Sequence, residues 1–415
     1  MHPVPKKIIV NLTLQNYQSI KVKNINTNKM KKLFILLFLL LSLITFPNIG
    51  FGQPPLKVGV LIPFTGRWGD SGRECAKGML DAGKWLNQRD GVFGRKLEML
   101  LIDDTSQPAE TMAAYRKLNE ADQILLLYIY SMETTLALVP HIHFDRMPTL
   151  TSSLPSHLTA PFKYPYIFSV TPTPLDLSKI AMKFIAEESG SRGRKAKVVF
   201  VGSPDFYGQH FLDEAKEYGK ALGLDIGPDI RISDFSSTKM ILPSLSAIHQ
   251  YNPDFAYLSL ASKEAFLVLQ EARKMDLKTK WICNMRAFDE NLSPFGGVFG
   301  VQPVSPFGED VPGMAMIKEA HQRWHPYDSH TLSYVEGWAT TQAIAEALGR
   351  SLPEQRLSRE WVKSSLEGFK DFVLGGLIPP MTISRGDHRP SVESRTLVIK
   401  EGKLFRHTSF TSVGR

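Results

Sequence analysis

Three histidines, His321, His325 and His330, crowd one stretch of the 415-residue chain, and His321 and His325 are four apart, on one face of any helix they share. Paired imidazoles are metal-ligand chemistry, but Pro326 should end that helix, so a metal centre is not expected. His141 and His143, two apart, would point to different faces. Asp103 and Asp104 form a carboxylate pair in sequence only. Neighbours on a strand point to opposite sides, which suits a turn or a helix cap better than general acid–base work. Gly66, Gly69 and Gly72 precede a helical pattern and could cradle a phosphate. Their G-x-x-G-x-x-G spacing is not the dinucleotide fingerprint, so the reading is a turn lining a cleft. No phosphate-loop, nucleophile-elbow or H-E-x-x-H pattern occurs. These residues point to a protein that binds, with no catalytic set, no metal and no cofactor.

The elements that must position such a site alternate regularly. LKVGVLI (56–62), KLEMLLIDD (96–104), QILLLYIY (123–130), MPTLTS (147–152) and YIFSV (166–170) read as strands buried on both faces. Helical patterns fall between them, at Cys75–Leu86, Thr111–Leu118 and Thr134–Phe144. A second series begins near Pro174. Its strands are AKVVFVG, DIGPDIRI, DFAYLSL and KWICN, separated by helices at 175–188, 209–222, 240–250 and 263–274. Helices follow at 314–324, 334–349 and 359–368, and the β-like pieces MTIS and TLVIK close the chain. This rhythm predicts parallel βαβ units in an α/β fold of two doubly wound, Rossmann-like lobes. The lobes are expected to be discontinuous: residues 53–173 and 305–375 in lobe one, 174–304 and 376–415 in lobe two. Loops at the strand C-termini would then face a shared cleft.

Residues 1–52 are set apart from both lobes. MKKLFILLFLLLSLITFPNIGFGQ, from Met30, has basic, apolar and small-residue parts in signal-peptide order, with cleavage expected after Gly52 and initiation at Met30. Its apolar run, Leu33–Phe46, is shorter than the roughly 20 residues that span a bilayer. Removing the seven lysines of 1–52, which hold no acid and no arginine, takes the formal charge from +8 to +1. The basic balance therefore gives no ground for nucleic-acid binding. Cys75 and Cys283 are too few for a disulfide framework; two buried thiols or a single bridge both fit.

Residue by residue, the chain resembles the type I periplasmic binding proteins of ABC importers, in the branched-chain amino-acid (leucine/isoleucine/valine-binding) family. The likeness runs through KVGVLIPFTGRWGDSG, GVFGRKLEMLLIDDTSQP, VVFVGSPDFYGQHF, PDFAYLSL with EARKMDLKTKW, YVEGWATTQAIAEAL and PPMTISRGDHRPS. It implies a Venus-flytrap arrangement with a multi-strand hinge. It also implies a solute's α-carboxylate held at Ser131 and at Ser152 and Ser153, a Tyr207 ring closing from lobe two, and Trp68 against the ligand side chain. Simple N-capping by Ser131, a turn at Ser152–Ser153 and a core role for Trp68 are the competing readings. Where relatives hold an ammonium, with an acid after the KTKW-like strand and a tyrosine after the preceding one, this chain has Met285 and Ala261. Arg286 stands beside the missing acid. It could clamp a second carboxylate or point to solvent while Asp289 or Glu290 takes an amine.

The function implied is that of a periplasmic, non-enzymatic solute-binding component of an ABC importer. Its partners would be a small-molecule ligand, an amino acid or organic acid, and an ABC permease in the inner membrane. A sensor subunit for a receptor would use the same fold, and a secreted amidase or hydrolase is a third reading with no visible nucleophile–base pair.

Overall fold

Continuous apolar strands, each followed by an amphipathic helix, build two separate parallel sheets. The computed structural model describes residues 53–190, 194–204, 212–352 and 357–414. The leader read at 30–52 and Tyr207 lie outside the described residues. In the first sheet, β1 (Leu56–Leu61) is followed by helix α1 (Gly69–Asn87) and β2 (Leu97–Ile102). Next come α2 (Pro108–Arg116), β3 (Leu126–Ile129), α3 (Met132–Phe144), β4 (Thr149–Thr151) and β5 (Ile167–Ser169). The order is β2-β1-β3-β4-β5, all parallel. Leu56, Val58, Val60 and Leu61 are fully buried, as a strand covered on both faces requires.

The second sheet repeats that order. Helix α4 (Pro174–Ser189) leads to β6 (Lys197–Gly202), α5 (Leu212–Ala221), β7 (Asp225–Arg231), α6 (Thr238–Tyr251) and β8 (Phe255–Ser259). Helix α7 (Ser262–Lys274), β9 (Lys280–Cys283) and β10 (Phe299–Gln302) follow. The parallel run is β7-β6-β8-β9-β10, and β11 (Glu393–Lys400) and β12 (Lys403–Arg406) extend it antiparallel, with β13 (Thr411–Ser412) pairing β11. The MTIS segment is not a strand. Met381 and Ser384 make only isolated bridges, to Phe372 and Asp387, because Pro379 and Pro380 ahead of them have no N–H to extend a ladder.

Between β10 and β11 the chain returns to the first sheet with α8 (Met314–Trp324), α9 (Leu332–Ser351) and α10 (Arg359–Leu366). Helix α9 lies tightly on α1. The reason is two facing glycines: a Cβ on Gly78 would lie 2.0 Å from the Tyr334 carbonyl oxygen, and one on Gly337 would lie 2.0 Å from that of Cys75. Only hydrogens fit at that crossing. Trp85 and Trp338 then meet edge to face at 5.8 Å beside it. The crossing is what holds α9 at a fixed height over the cleft.

Candidate functional site

Both sheets reverse strand order at the same point, between β1 and β3 and between β6 and β8, which is where an open α/β sheet leaves its ligand crevice. The loops after β1, β3 and β4 bring Trp68, Tyr130, Ser131, Ser152 and Ser153 to it. From the second sheet come Ser203, Ala261, Asn284, Met285 and Arg286. Arg286 crosses from one lobe to the other. Its Nη1 donates to Glu336 Oε2 at 2.9 Å and to the Tyr130 hydroxyl at 2.9 Å, and its Nη2 donates to Glu336 Oε1 at 3.0 Å and to Ser152 Oγ. The Ser152 hydroxyl donates to the same Glu336 carboxylate. The guanidinium carbon sits 4.4 Å from the centroid of the Tyr130 ring. The Arg286 and Glu336 side chains are only 7% and 4% exposed, so this is a desolvated, bidentate pair.

The solvent-pointing alternative for Arg286 is thereby corrected: its charge is held inside, on a carboxylate of the protein itself. Asp289 and Glu290 do not serve the cleft either. Asp289 accepts from the Ser262 hydroxyl and the Asn291 N–H, and Glu290 accepts from the Leu332 N–H at the start of α9, at 2.9 Å. Glu336 escaped the sequence reading. Its signal is present, since it is the one charged residue in the buried stretch of α9 from Leu332 to Ala345. Tyr130 escaped it too.

The other expected residues have definite places. Ser131 caps α3: its Oγ accepts from the Thr134 N–H at 3.3 Å and donates to Thr134 Oγ1 at 2.8 Å. Ser153 borders both small cavities that flank Arg286. One is shared with Trp68, Tyr130 and Glu133, the other with Pro172, Tyr257 and Met285, and each is about 10 Å³. That is room for about one water; the guanidinium fills the cleft. Ala261 lies at the N-terminus of α7, its N–H on Glu264 Oε2 at 2.9 Å. The same carboxylate takes Arg67 Nη2 at 2.7 Å, and that guanidinium also reaches Ser203 Oγ at 3.1 Å. Arg67 lies on the β1 loop, so it is a second bridge between lobes. Beneath Ser152, Tyr128 and Cys75 are wholly buried with hydroxyl and sulfur 3.7 Å apart. Burial pushes both groups far up, so both stay protonated. Cys75 and Cys283 are free thiols.

The remaining chemistry-bearing residues are structural in their contacts. Asp103 accepts from the N–H groups of Phe64 and Thr105, and Asp104 from Ser106 and Thr134. The rings of His321 and His330 meet at 4.5 Å, and His325 pairs with Asp81 at 2.8 Å. Among the described residues no group of three or more side chains is placed to hold a metal ion, and no helix is long and apolar enough to cross a membrane.

Glu290 makes stability pH-dependent. Burial pushes its carboxyl up to about 8 from an ordinary 4.5. The native protein therefore keeps a proton that the unfolded chain releases between those values, and stability must fall as pH rises from about 4.5 to 8. Urea unfolding at pH 5 and pH 8 is expected to show this loss. Glu290→Gln, which cannot ionise, should shrink it; an unchanged pH dependence in that variant would remove Glu290 as its source.

Two doubly wound lobes bring their strand C-termini to one polar cleft, the architecture expected of a solute-binding protein. Residues 55–403 match the family model described as periplasmic binding protein, and the chain belongs to that family. In sequence it is 22% identical over 254 residues to the leucine-, isoleucine-, valine-, threonine- and alanine-binding protein of Pseudomonas aeruginosa. That alignment spans 59% of this chain and 64% of the relative, so more than a third of the relative's length is unmatched. In structure it is similar to a branched-chain amino acid ABC transporter protein from Thermus thermophilus with bound valine (TM-score 0.80, 21% identity, 87% of this chain and 97% of that one). It is also similar to a fatty acid ABC transporter substrate-binding protein from Thermomonospora curvata (TM-score 0.78, 21% identity, 88% and 94%). At those identities the likeness establishes the fold.

Proposed function

We propose that this protein is the extracytoplasmic solute-binding component of an ABC importer, and that it captures a small carboxylate-bearing solute between its lobes. One observation carries the reading: Arg286, which lines both small cavities of the cleft, already holds a carboxylate in bidentate fashion, with Ser152 and Tyr130 completing the seat. A solute carboxylate offers the same two oxygens to the same fork. Trp68, Ser131, Ser152 and Ser153 would line the lobe-one side, with Ala261 and Met285 on the other; for Tyr207, outside the described residues, ligand contact rests on the family resemblance alone. Contacts to both lobes favour the closed form, and a membrane permease would read that closure. No bond is made or broken. The signal-like segment Met30–Gly52 supports export to the periplasm.

Calorimetric titration of the purified protein with L-valine, isovalerate and benzoate tests the reading. Arg286→Gln is expected to weaken whichever of them binds by about 10- to 100-fold, the worth of a hydrogen bond to a charged group. Undiminished affinity in that variant would take Arg286 out of the site.

A further inference from the structure

We infer that Glu336 of α9, with the Tyr130 ring and the Ser152 hydroxyl, is a lobe-one seat for the solute's cationic group, and that Arg286 fills this seat until a solute displaces it. The inference rests on the carboxylate reading above and adds the other half of the ligand to it. Three observations carry it. The first is what the seat is made of. A carboxylate that can accept from two donors at once, an aromatic face 4.4 Å from the bound charge, and a hydroxyl are the parts that hold a desolvated cation. The second is space. With the guanidinium in place, about 10 Å³ remains on either side, so no solute enters without moving Arg286 off Glu336. The third is charge. Glu336 stays with lobe one, nearly wholly buried once the lobes close, and breaking one side of a buried pair leaves an uncompensated charge.

Those constraints select the ligand's chemistry. A solute with only a carboxylate would satisfy Arg286 and orphan Glu336. An amine alone would do the reverse. A zwitterion satisfies both, because its carboxylate takes Arg286 as its ammonium takes Glu336, and the closed cleft keeps the neutrality of the internal pair. Among the described residues the nearby acids of lobe two are already engaged: Asp289, Glu290 and Glu264 at Ser262, Leu332 and Arg67. Binding is then an exchange of ion pairs, in which Arg286 and Glu336 let go of each other and each takes one end of the solute.

The test is a thermal-shift and calorimetric comparison on the full protein. The probes are the protein amino acids, the amine-free carboxylates matching valine and leucine (isovalerate, isocaproate), and the matching amines. An amino acid is expected to bind, with its amine-free counterpart weaker by about tenfold or more; this comparison in the unaltered protein depends on no variant. In Glu336→Gln that ratio should collapse towards one, whereas Arg286→Gln should weaken both. Carboxylates that bind as well as amino acids and still respond to Arg286→Gln would overturn the Glu336 seat and leave the carboxylate reading standing. So would a ratio that Glu336→Gln does not change. If no probe binds, or binding ignores Arg286→Gln, both readings fall.

Discussion

Arg286→Ala is expected to spring the lobes apart in solution without added solute. Breaking one side of a buried, hydrogen-bonded ion pair costs about 3–5 kcal/mol, and the Arg286–Glu336 pair is buried on both sides. Here the orphaned carboxylate has a way out that a core residue lacks, because opening the cleft hydrates Glu336 while both sheets keep their own cores. The loss should therefore appear as a closed population reduced by about 100-fold or more, with global unfolding little changed. Small-angle scattering reads this as a larger radius of gyration than that of the unaltered protein. The companion Arg286→Met/Glu336→Leu variant removes both charges and keeps the volume, so it should close again while losing solute binding. An Arg286→Ala protein with an unchanged radius would mean the pair does not hold the lobes.

The second large effect is expected at the crossing of α1 and α9. A Cβ at Gly337 would lie 2.0 Å from the Cys75 carbonyl oxygen and 3.0 Å from the Met79 nitrogen. These are backbone atoms of a helix, which cannot turn aside as a flexible side chain can. Gly337→Ala should cost about 2–3 kcal/mol through forced separation of the helices, seen as a lower urea midpoint. Gly83→Ala is the control. It lies on the same α1 helix, but its nearest neighbour is the Met99 Cγ at 3.6 Å, so it should be neutral or gain up to about 0.8 kcal/mol in helix propensity. Because α9 also carries Glu336, Gly337→Ala should weaken solute binding as well, although it touches no solute. Equal stability of the two alanine variants would count against the close crossing as the support of the site.

Much of the architecture is written in local pattern. β-branched apolar runs such as LKVGVLI and KVVFVG can be covered strands and little else, and the helical spacings between them impose parallel crossovers of one hand. The turn chemistry of Asp103 and Asp104 and the N-cap at Ser131 are likewise local, since each group bonds within a few residues of itself or just across one loop. MTIS shows where pattern alone misleads: its composition is strand-like, yet the two prolines ahead of it remove the donors a ladder needs.

The sequence by itself determined that Arg286 is the conspicuous charge where an acid would be expected, that Met285 and Ala261 bring no charge of their own, and that the chain carries no evident catalytic set. It did not determine what Arg286 meets. Glu336 lies 50 residues away on a helix that crosses back to the other lobe, and no periodicity relates the two positions. Only the tertiary structure decided that they pair, because three things outside local pattern place them. The Gly78–Gly337 contact sets the depth of α9, the parallel β8–β9–β10 register sets where the loop after β9 projects, and the shared reversal of strand order makes both face one crevice. A lone acid in an otherwise uncharged, buried stretch of helix announces a buried charge. Which opposite charge answers it depends on long-range packing that the one-dimensional pattern does not encode.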